Sequence, residues 1–250
     1  MVYFIGAGPG DVDLITVKGR KLLQEADVVV YAGSLVSTEH LNFCKEDVEF
    51  YDSSSMNLDE ITQVIYNAYK KGKKVVRLHT GDPTIYGAIL EQMRELDKLN
   101  IPYEVVPGVS SFTASCARIK REFTVPDVTQ TVILTRISGR TYVPEEEDLE
   151  GLAAHKSSMA IFLSVHDIDR VVEKLKRGYK DENVPCAVVY KATWQDEKVI
   201  IGTLKDIAEK VKEKNIKKTA QILVGYFLDD CGTYSKLYDK KFSHEFRDAL

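Results

Sequence analysis

The sequence predicts an α/β protein of two domains, each a parallel or mixed sheet with flanking helices. Three observations predict it. Short apolar runs alternate with amphipathic stretches through the first half of the chain. Three of those runs end in glycine-bearing loops. The alternation breaks at residues 120–126, where charged residues and Pro126 intervene, and resumes with a different texture. Strand–helix alternation implies a parallel sheet with right-handed crossovers. The break divides the chain into a domain of residues 1–119 and one of residues 120–250.

The elements follow in order. Residues 2–5 are an apolar strand stopped by Gly6-Ala7-Gly8-Pro9-Gly10. With no basic flank and no long apolar core, this start reads as a strand and not as a signal peptide. Residues 16–26 carry Val17, Leu22, Leu23 and Ala26 at helical spacing, and Val28-Val29-Val30-Tyr31 is a buried strand. Residues 58–71 place Ile61, Val64, Ile65 and Ala68 on one face, a helix that Gly72 ends. Residues 74–78 form a strand, residues 85–99 a helix and residues 103–106 a strand closed by Pro107-Gly108, and residues 110–117 open another helix. In the second half, residues 130–134 and 159–163 read as strands. Residues 184–190 and 199–201 read as an antiparallel hairpin with a long tip. Residues 204–214 are amphipathic, residues 221–226 a last strand, and residues 234–250 a surface helix or loose tail.

Composition removes several classes. Of 250 residues, 44% are hydrophobic and 29% charged, so the chain can bury a full core without a disulfide or metal staple. A net charge of −4 gives no global field for nucleic acid, and an anionic partner would need a local basic patch. Cys44, Cys116, Cys186 and Cys231 are widely separated and the five histidines do not cluster, which reads as free thiols in a reducing cytosol and no metal site. No run approaches the roughly 18 apolar residues of a membrane span.

Three loops carry the chemistry. Gly6-Ala7-Gly8-Pro9-Gly10-Asp11 follows a strand, where open α/β sheets bind ligands. It is not a dinucleotide fingerprint: G-x-G-x-x-G would need glycine where Asp11 stands, and Pro9 removes a backbone donor. Tyr31 is followed by Ala32-Gly33-Ser34, with no acid for a ribose. These gaps count against a nicotinamide-dependent oxidoreductase. In Thr80-Gly81-Asp82-Pro83, glycine lets a ligand approach the backbone, and Asp82 either accepts ligand hydrogen bonds or caps the next helix. In Val106-Pro107-Gly108-Val109-Ser110-Ser111, either serine can cap a helix or face a ligand. Each loop alone is weak; three at one sheet's strand ends build a pocket.

Together with Leu14-Ile15-Thr16-Val17-Lys18-Gly19 and Gly81-Asp82-Pro83-Thr84-Ile85-Tyr86-Gly87, these loops resemble the tetrapyrrole (precorrin) methyltransferase family over nearly the whole chain. Tyr31-Ala32-Gly33-Ser34-Leu35-Val36, Arg77-Leu78-His79-Thr80, Gln130-Thr131-Val132-Ile133-Leu134-Thr135-Arg136 and Ala160-Ile161-Phe162-Leu163-Ser164-Val165-His166 resemble its corrin branch, of cobalamin synthesis, more than its uroporphyrinogen methylases. The resemblance implies a two-domain cytoplasmic homodimer with S-adenosylmethionine folded into the cleft between domains and a tetrapyrrole substrate, with no protein-bound metal. The first domain would hold the substrate trough and half the cofactor site, and the second the other half. Pro9, Gly81, Asp82, Ser110 and Ser111 match cofactor-contacting positions of the first domain, with Pro83, Ile85 and Tyr86 beside them. Leu163, Ala192, Thr193, Thr219 and Ala220 match those of the second. Without the resemblance, Leu163 would read as core.

The tetrapyrrole's carboxylate arms call for arginines. Arg118, Arg121, Arg136 and Arg140 are candidates, as is Lys120, each otherwise a solvated surface charge. Asp13 is placed to reach a pyrrole N–H or to cap a helix, and Trp194 at the hairpin tip to pack or to cover a ligand. No nucleophile–base pair is evident, which fits methyl transfer from an already activated donor by positioning. A non-catalytic tetrapyrrole carrier would leave the cofactor loops without a use. Diphthine synthases and a ribosomal RNA ribose methylase share similar loops, and the acidic balance disfavours the RNA enzyme.

Overall fold

The computed structural model describes residues 1–139, 141–229 and 232–248. Arg140 and Cys231 lie outside the described residues. Contacts divide the chain into two units, one of residues 1–114 and 191–197 and one of residues 115–190 and 198–250.

The first unit is a five-stranded sheet of β1 (Val2–Gly6), β2 (Val28–Tyr31), β3 (Glu49–Asp52), β4 (Val75–His79) and β5 (Tyr103–Val106). The order is β3-β2-β4-β1-β5, and every neighbouring pair is parallel. Alternation splits the apolar side chains between two faces. Val2, Phe4, Val28, Val30 and Val75 pack with Ile61, Ile65 and Ala68 of α2 (Leu58–Lys70) and Leu96 of α3 (Leu90–Lys98). Ile5, Val29, Val76 and Leu78 pack with Leu23 of α1 (Val17–Gln24) on the other face.

Local chemistry fixes the helix ends. Thr16 caps α1, its hydroxyl accepting from Gly19 N at 3.1 Å. Asn57 and Glu60 form a reciprocal capping box at α2 (3.0 and 2.8 Å). Asp13 is no helix cap: Asp11 accepts from Asp13 N at 3.0 Å and caps a 3-10 turn, Val12–Leu14, ahead of α1. The helix expected over residues 85–99 starts at Leu90, because Tyr86 and Ala88 take left-handed φ of 55° and 50°. Strand β3 escaped the sequence reading because Glu49-Phe50-Tyr51-Asp52 lacks an apolar run.

The second unit holds β6 (Val132–Arg136), β7 (Ser158–Phe162), β8 (Pro185–Tyr190), β9 (Lys198–Thr203) and β10 (Ala220–Val224) in the order β6-β7-β10-β8-β9. Only β6 and β7 are parallel among its neighbouring pairs, so the sheet is mixed. The unit also contains α5 (Leu149–Ala153), α6 (Ile168–Tyr179) and α7 (Ile207–Glu213), while α4 (Ser111–Arg118) runs across the division. Helix α6, absent from the sequence reading, buries Ile168, Val171, Val172, Leu175 and Tyr179 as one stripe. Each such aliphatic side chain, fully buried, contributes about 1.5–3 kcal/mol. The Tyr179 hydroxyl donates to Ser157 O at 3.0 Å, satisfying its polar end. Residues 234–248 form a 3-10 turn, Lys236–Tyr238, and turns in place of an α-helix; Arg247 gathers the carbonyls of Leu237 and Asp239 at 2.7 and 2.8 Å.

The central strand of the first sheet buries two polar side chains. Arg77 and His79, neighbours on one face of β4, are each 5% exposed. Burial pushes Arg77 down to about 10. Burial, then the Arg77 cation, pushes His79 from 6.5 down to about 3. His79 is therefore neutral when folded and protonated below 6.5 when unfolded. The unfolded chain binds more protons in that window, so this contribution is complete above pH 6.5 and is lost as pH falls toward 3. Urea midpoints measured between pH 6.5 and 5.5, above the ordinary carboxylate range, should fall with acidification in the wild type and less steeply in His79→Phe. Equal slopes would remove His79 as the cause.

Candidate active site

Strands β4, β1 and β5 are adjacent and parallel, so their three following loops leave the same edge of the sheet. Helix α1, after β1, packs on one face, whereas α3, after β4, packs on the other. Neighbouring strands whose connections part in this way open a crevice at their carboxyl ends, the ligand position of open α/β sheets.

The loops meet through backbone. Gly8 and Gly81 exchange hydrogen bonds, Gly81 N to Gly8 O at 2.8 Å and Gly8 N to Gly81 O at 3.3 Å. A Cβ on Gly6 would lie 2.5 Å from Gly81 O and 2.7 Å from Gly108 Cα. A Cβ on Gly108 would fall on Gly81 O and lie 2.8 Å from Gly6 Cα. Gly81 has space for a side chain but holds φ of +60°, which L residues avoid. The glycines thus serve loop-to-loop approach.

Asp82 ties two loops together. Its Oδ1 accepts from Thr84 N at 2.8 Å and Thr84 Oγ1 at 2.6 Å, and its Oδ2 accepts from Gly108 N at 3.1 Å. This is an Asx turn with a cross-loop bond, not the cap of a helix, since α3 begins at Leu90. Pro83 is buried, Ile85 half-buried, and Tyr86 is exposed on the turn that follows. Ser110 is buried, and its carbonyl accepts from Ala114 N and Thr113 Oγ1 at the start of α4, where Ser111 is half-buried.

Residues 191–197 close over the first loop. The indole of Trp194, the chain's single tryptophan, donates to Pro9 O at 2.7 Å, and Asp11 N donates to Thr193 Oγ1 at 2.9 Å. A Cβ on Gly10 would fall on the Trp194 ring. Thr193 takes φ of 72°, and its N–H donates to Glu197 Oε2 at 2.6 Å; Ala192 is buried beside it. Packing is the role of Trp194 here, with a hydrogen bond added. Pro9, Gly81, Asp82, Pro83, Ile85, Ser110, Ala192 and Thr193 all fall within this one unit.

The remaining candidates lie on other elements. Leu163 stands one residue beyond β7, left-handed at φ 53° and 64% exposed, so it is neither strand nor core. The β7–β10 register, continued by two residues, sets it opposite Ala220, whose neighbour Thr219 is also left-handed. Asp13 is exposed. Arg118 and Arg121 are exposed, and Arg121 Nε donates to Leu228 O at 2.8 Å. Arg136 directs its guanidinium at the carbonyls of Ile137, Thr141 and Tyr142 (3.3, 3.1 and 2.7 Å), which orders the loop after β6 in place of presenting a free fork. The Arg140 expectation lies outside the described residues. Among the described residues, no group of three or more His, Cys, Asp or Glu could hold a metal ion, and no helix is long and apolar enough to cross a membrane. Sequence reasoning missed the buried Arg77–Gln92 pair; its signal was two polar residues at alternating positions in an otherwise apolar strand.

Comparison with known proteins follows this geometry. Residues 1–208 match the Tetrapyrrole (Corrin/Porphyrin) Methylases. The chain is 58% identical over 247 residues to a cobalt-precorrin-4 C(11)-methyltransferase of Methanocaldococcus jannaschii, covering 98% of this chain and 95% of that one. It superposes with a TM-score of 0.89, at 49% identity, on the X-ray structure of a cobalt precorrin-4 methyltransferase, covering 91% and 95% of the two chains. A uroporphyrin-III C-methyltransferase of Thermus thermophilus, complexed with S-adenosylhomocysteine, superposes with a TM-score of 0.76 at 26% identity, covering 91% and 92%.

The glycine contact makes a quantitative expectation. Gly108→Ala should destabilise by about 1–3 kcal/mol, because the new methyl meets backbone that cannot turn away. Gly151→Ala in α5, where a Cβ meets nothing within 4 Å, is the control and should not destabilise. Urea unfolding measures both, and equal midpoints would show that the loops separate freely.

Proposed function

The chain belongs to the tetrapyrrole (corrin/porphyrin) methylase family, and from that membership we propose that it methylates carbon 11 of cobalt-precorrin-4, giving cobalt-precorrin-5 in cobalamin synthesis. The observation that carries the reading is the 58% identity along 98% of the chain to a relative of that name. Relatives named for the metal-free precorrin-4 stand at 44–45% identity, which favours the cobalt form as substrate. Further proposals are that the enzyme is a homodimer in the cytoplasm and that its domains divide near residue 120.

We assign S-adenosylmethionine as methyl donor. The described loops suit it: three strand ends lie side by side and present backbone, with glycines packed loop against loop. Gly81, Asp82, Pro83, Ile85, Tyr86, Ser110 and Ser111 with Pro9, Ala192 and Thr193 would hold it, and the same assignment extends to Leu163, Thr219 and Ala220. The donor's sulfonium supplies an already electrophilic methyl. What remains for the protein is alignment: the residues that would hold the donor would keep its methyl in line with the substrate's nucleophilic carbon. Rigid backbone loops suit this task better than long side chains, because they lose little entropy on binding. Arg118 and Arg121, exposed near the start of the second unit, are the candidates for the substrate's carboxylates.

Two measurements test this. Incubation with a carbon-13-labelled methyl donor and cobalt-precorrin-4 should place the label at carbon 11 by NMR. A label at another carbon keeps the family and rejects this specificity. Calorimetry should show S-adenosylhomocysteine binding, weakened about tenfold or more in Asp82→Ala, which loses a carboxylate bonded to two loops. Unchanged affinity in that variant would leave Asp82 a loop tie without a part in the cofactor site.

A further inference from the structure

We propose that Gln92 is a positioning residue: its amide links buried Arg77 to the Ala88 carbonyl and so holds the turn that carries Ile85 and Tyr86. The proposal rests on the assignment of that turn to the methyl donor.

The turn cannot hold itself. Tyr86 and Ala88 both adopt left-handed φ, a state that persists where surrounding structure over-determines it. Gly87 is pressed so closely on Pro83 that a Cβ there would fall on the Pro83 carbonyl. On its leading side, Asp82 fixes the turn through Thr84 N at 2.8 Å and through its own carbonyl to Ile85 N at 3.2 Å. On its trailing side, the residue just before α3, Ile89, makes no side-chain cap. Gln92, in the first turn of α3, ties the turn from inside instead, its Nε2 donating to Ala88 O at 2.9 Å.

The amide's orientation is set by its partners. A guanidinium has donors alone and a carbonyl accepts alone, so Oε1 must face Arg77 and Nε2 must face Ala88. Arg77 Nε donates to Gln92 Oε1 at 3.0 Å, and Arg77 Nη1 donates to Val30 O at 3.2 Å. Gln92 is 6% exposed and Arg77 5%, so water competes for neither. Hydrogen bonds between buried side chains rigidify the segments they join. The linkage runs from β2 through β4 and α3 to the strained turn, and it gives the buried guanidinium two acceptors.

Gln92→Glu separates holding the turn from holding the fold. A carboxylate accepts from Arg77 at least as well as an amide but cannot donate to Ala88 O. The expected result is an unchanged or higher thermal midpoint, faster amide exchange confined to residues 85–89 in the ligand-free protein, and S-adenosylhomocysteine affinity lower by about tenfold. Gln92→Leu breaks both bonds and should lower the midpoint as well. Adding Ala88→Gly to Gln92→Glu removes the side chain that makes φ of 50° costly and should recover part of the affinity. Wild-type exchange and affinity in Gln92→Glu would overturn the proposal, as would losses that merely track a lowered midpoint. If the wild type binds no S-adenosylhomocysteine while Gln92→Glu still loosens the turn, the cofactor assignment fails and the positioning of the turn stands.

Discussion

Gly6, Gly81 and Gly108 come within backbone distance of one another at the ends of β1, β4 and β5, and the first unit's site depends on that approach. Strand adjacency brings three loops to one edge, but side chains would hold them apart. With no Cβ in the way, Gly8 and Gly81 exchange backbone hydrogen bonds past the strand ends, and Asp82 reaches Gly108 N to add the third loop. The result is a surface made mainly of backbone, whose shape varies little because its hydrogen bonds are already made.

A backbone site transfers the work of support to residues behind it. Trp194 and Thr193 seat the first loop through Pro9 O and Asp11 N. Asp82 and the Arg77–Gln92 chain fix the second from opposite sides. Left-handed Tyr86 and Ala88 and the buried cation Arg77 all adjoin that second loop. For a reaction whose electrophile arrives activated, alignment is the principal contribution an enzyme can make, and rigid support of this kind is how a protein supplies it.

Much of this was written locally in the sequence and therefore legible. Strands β1, β2, β4 and β5, the helix ended by Gly72, the hairpin and the three glycine loops follow from apolar runs, helical spacing and turn residues, which act within a few positions of one another. The family pattern lies in those same loops, so the likeness to tetrapyrrole methylases was readable as well. Strand β3 was not legible, because it is stabilised by parallel pairing with β2 and not by its own composition. The late start of α3 was hidden too, since the helical spacing of Ile89, Met93 and Leu96 runs back to Ile85, whereas residues 85–89 are turned aside by contacts with Pro83 and Gln92.

What the sequence determined by itself, then, is the fold class, the strand–loop–helix grammar and the residues available for chemistry, because propensity and periodicity are local. Partnership was decided by the tertiary structure alone. Asp82 proves to be a cross-loop tie and not a helix cap, Arg136 binds the loop after its own strand, and Trp194 serves a loop 185 residues away. A side chain's hydrogen-bond partner depends on which segments the sheet order brings side by side, and that order is set by the summed burial of the whole core, which no short stretch of sequence contains.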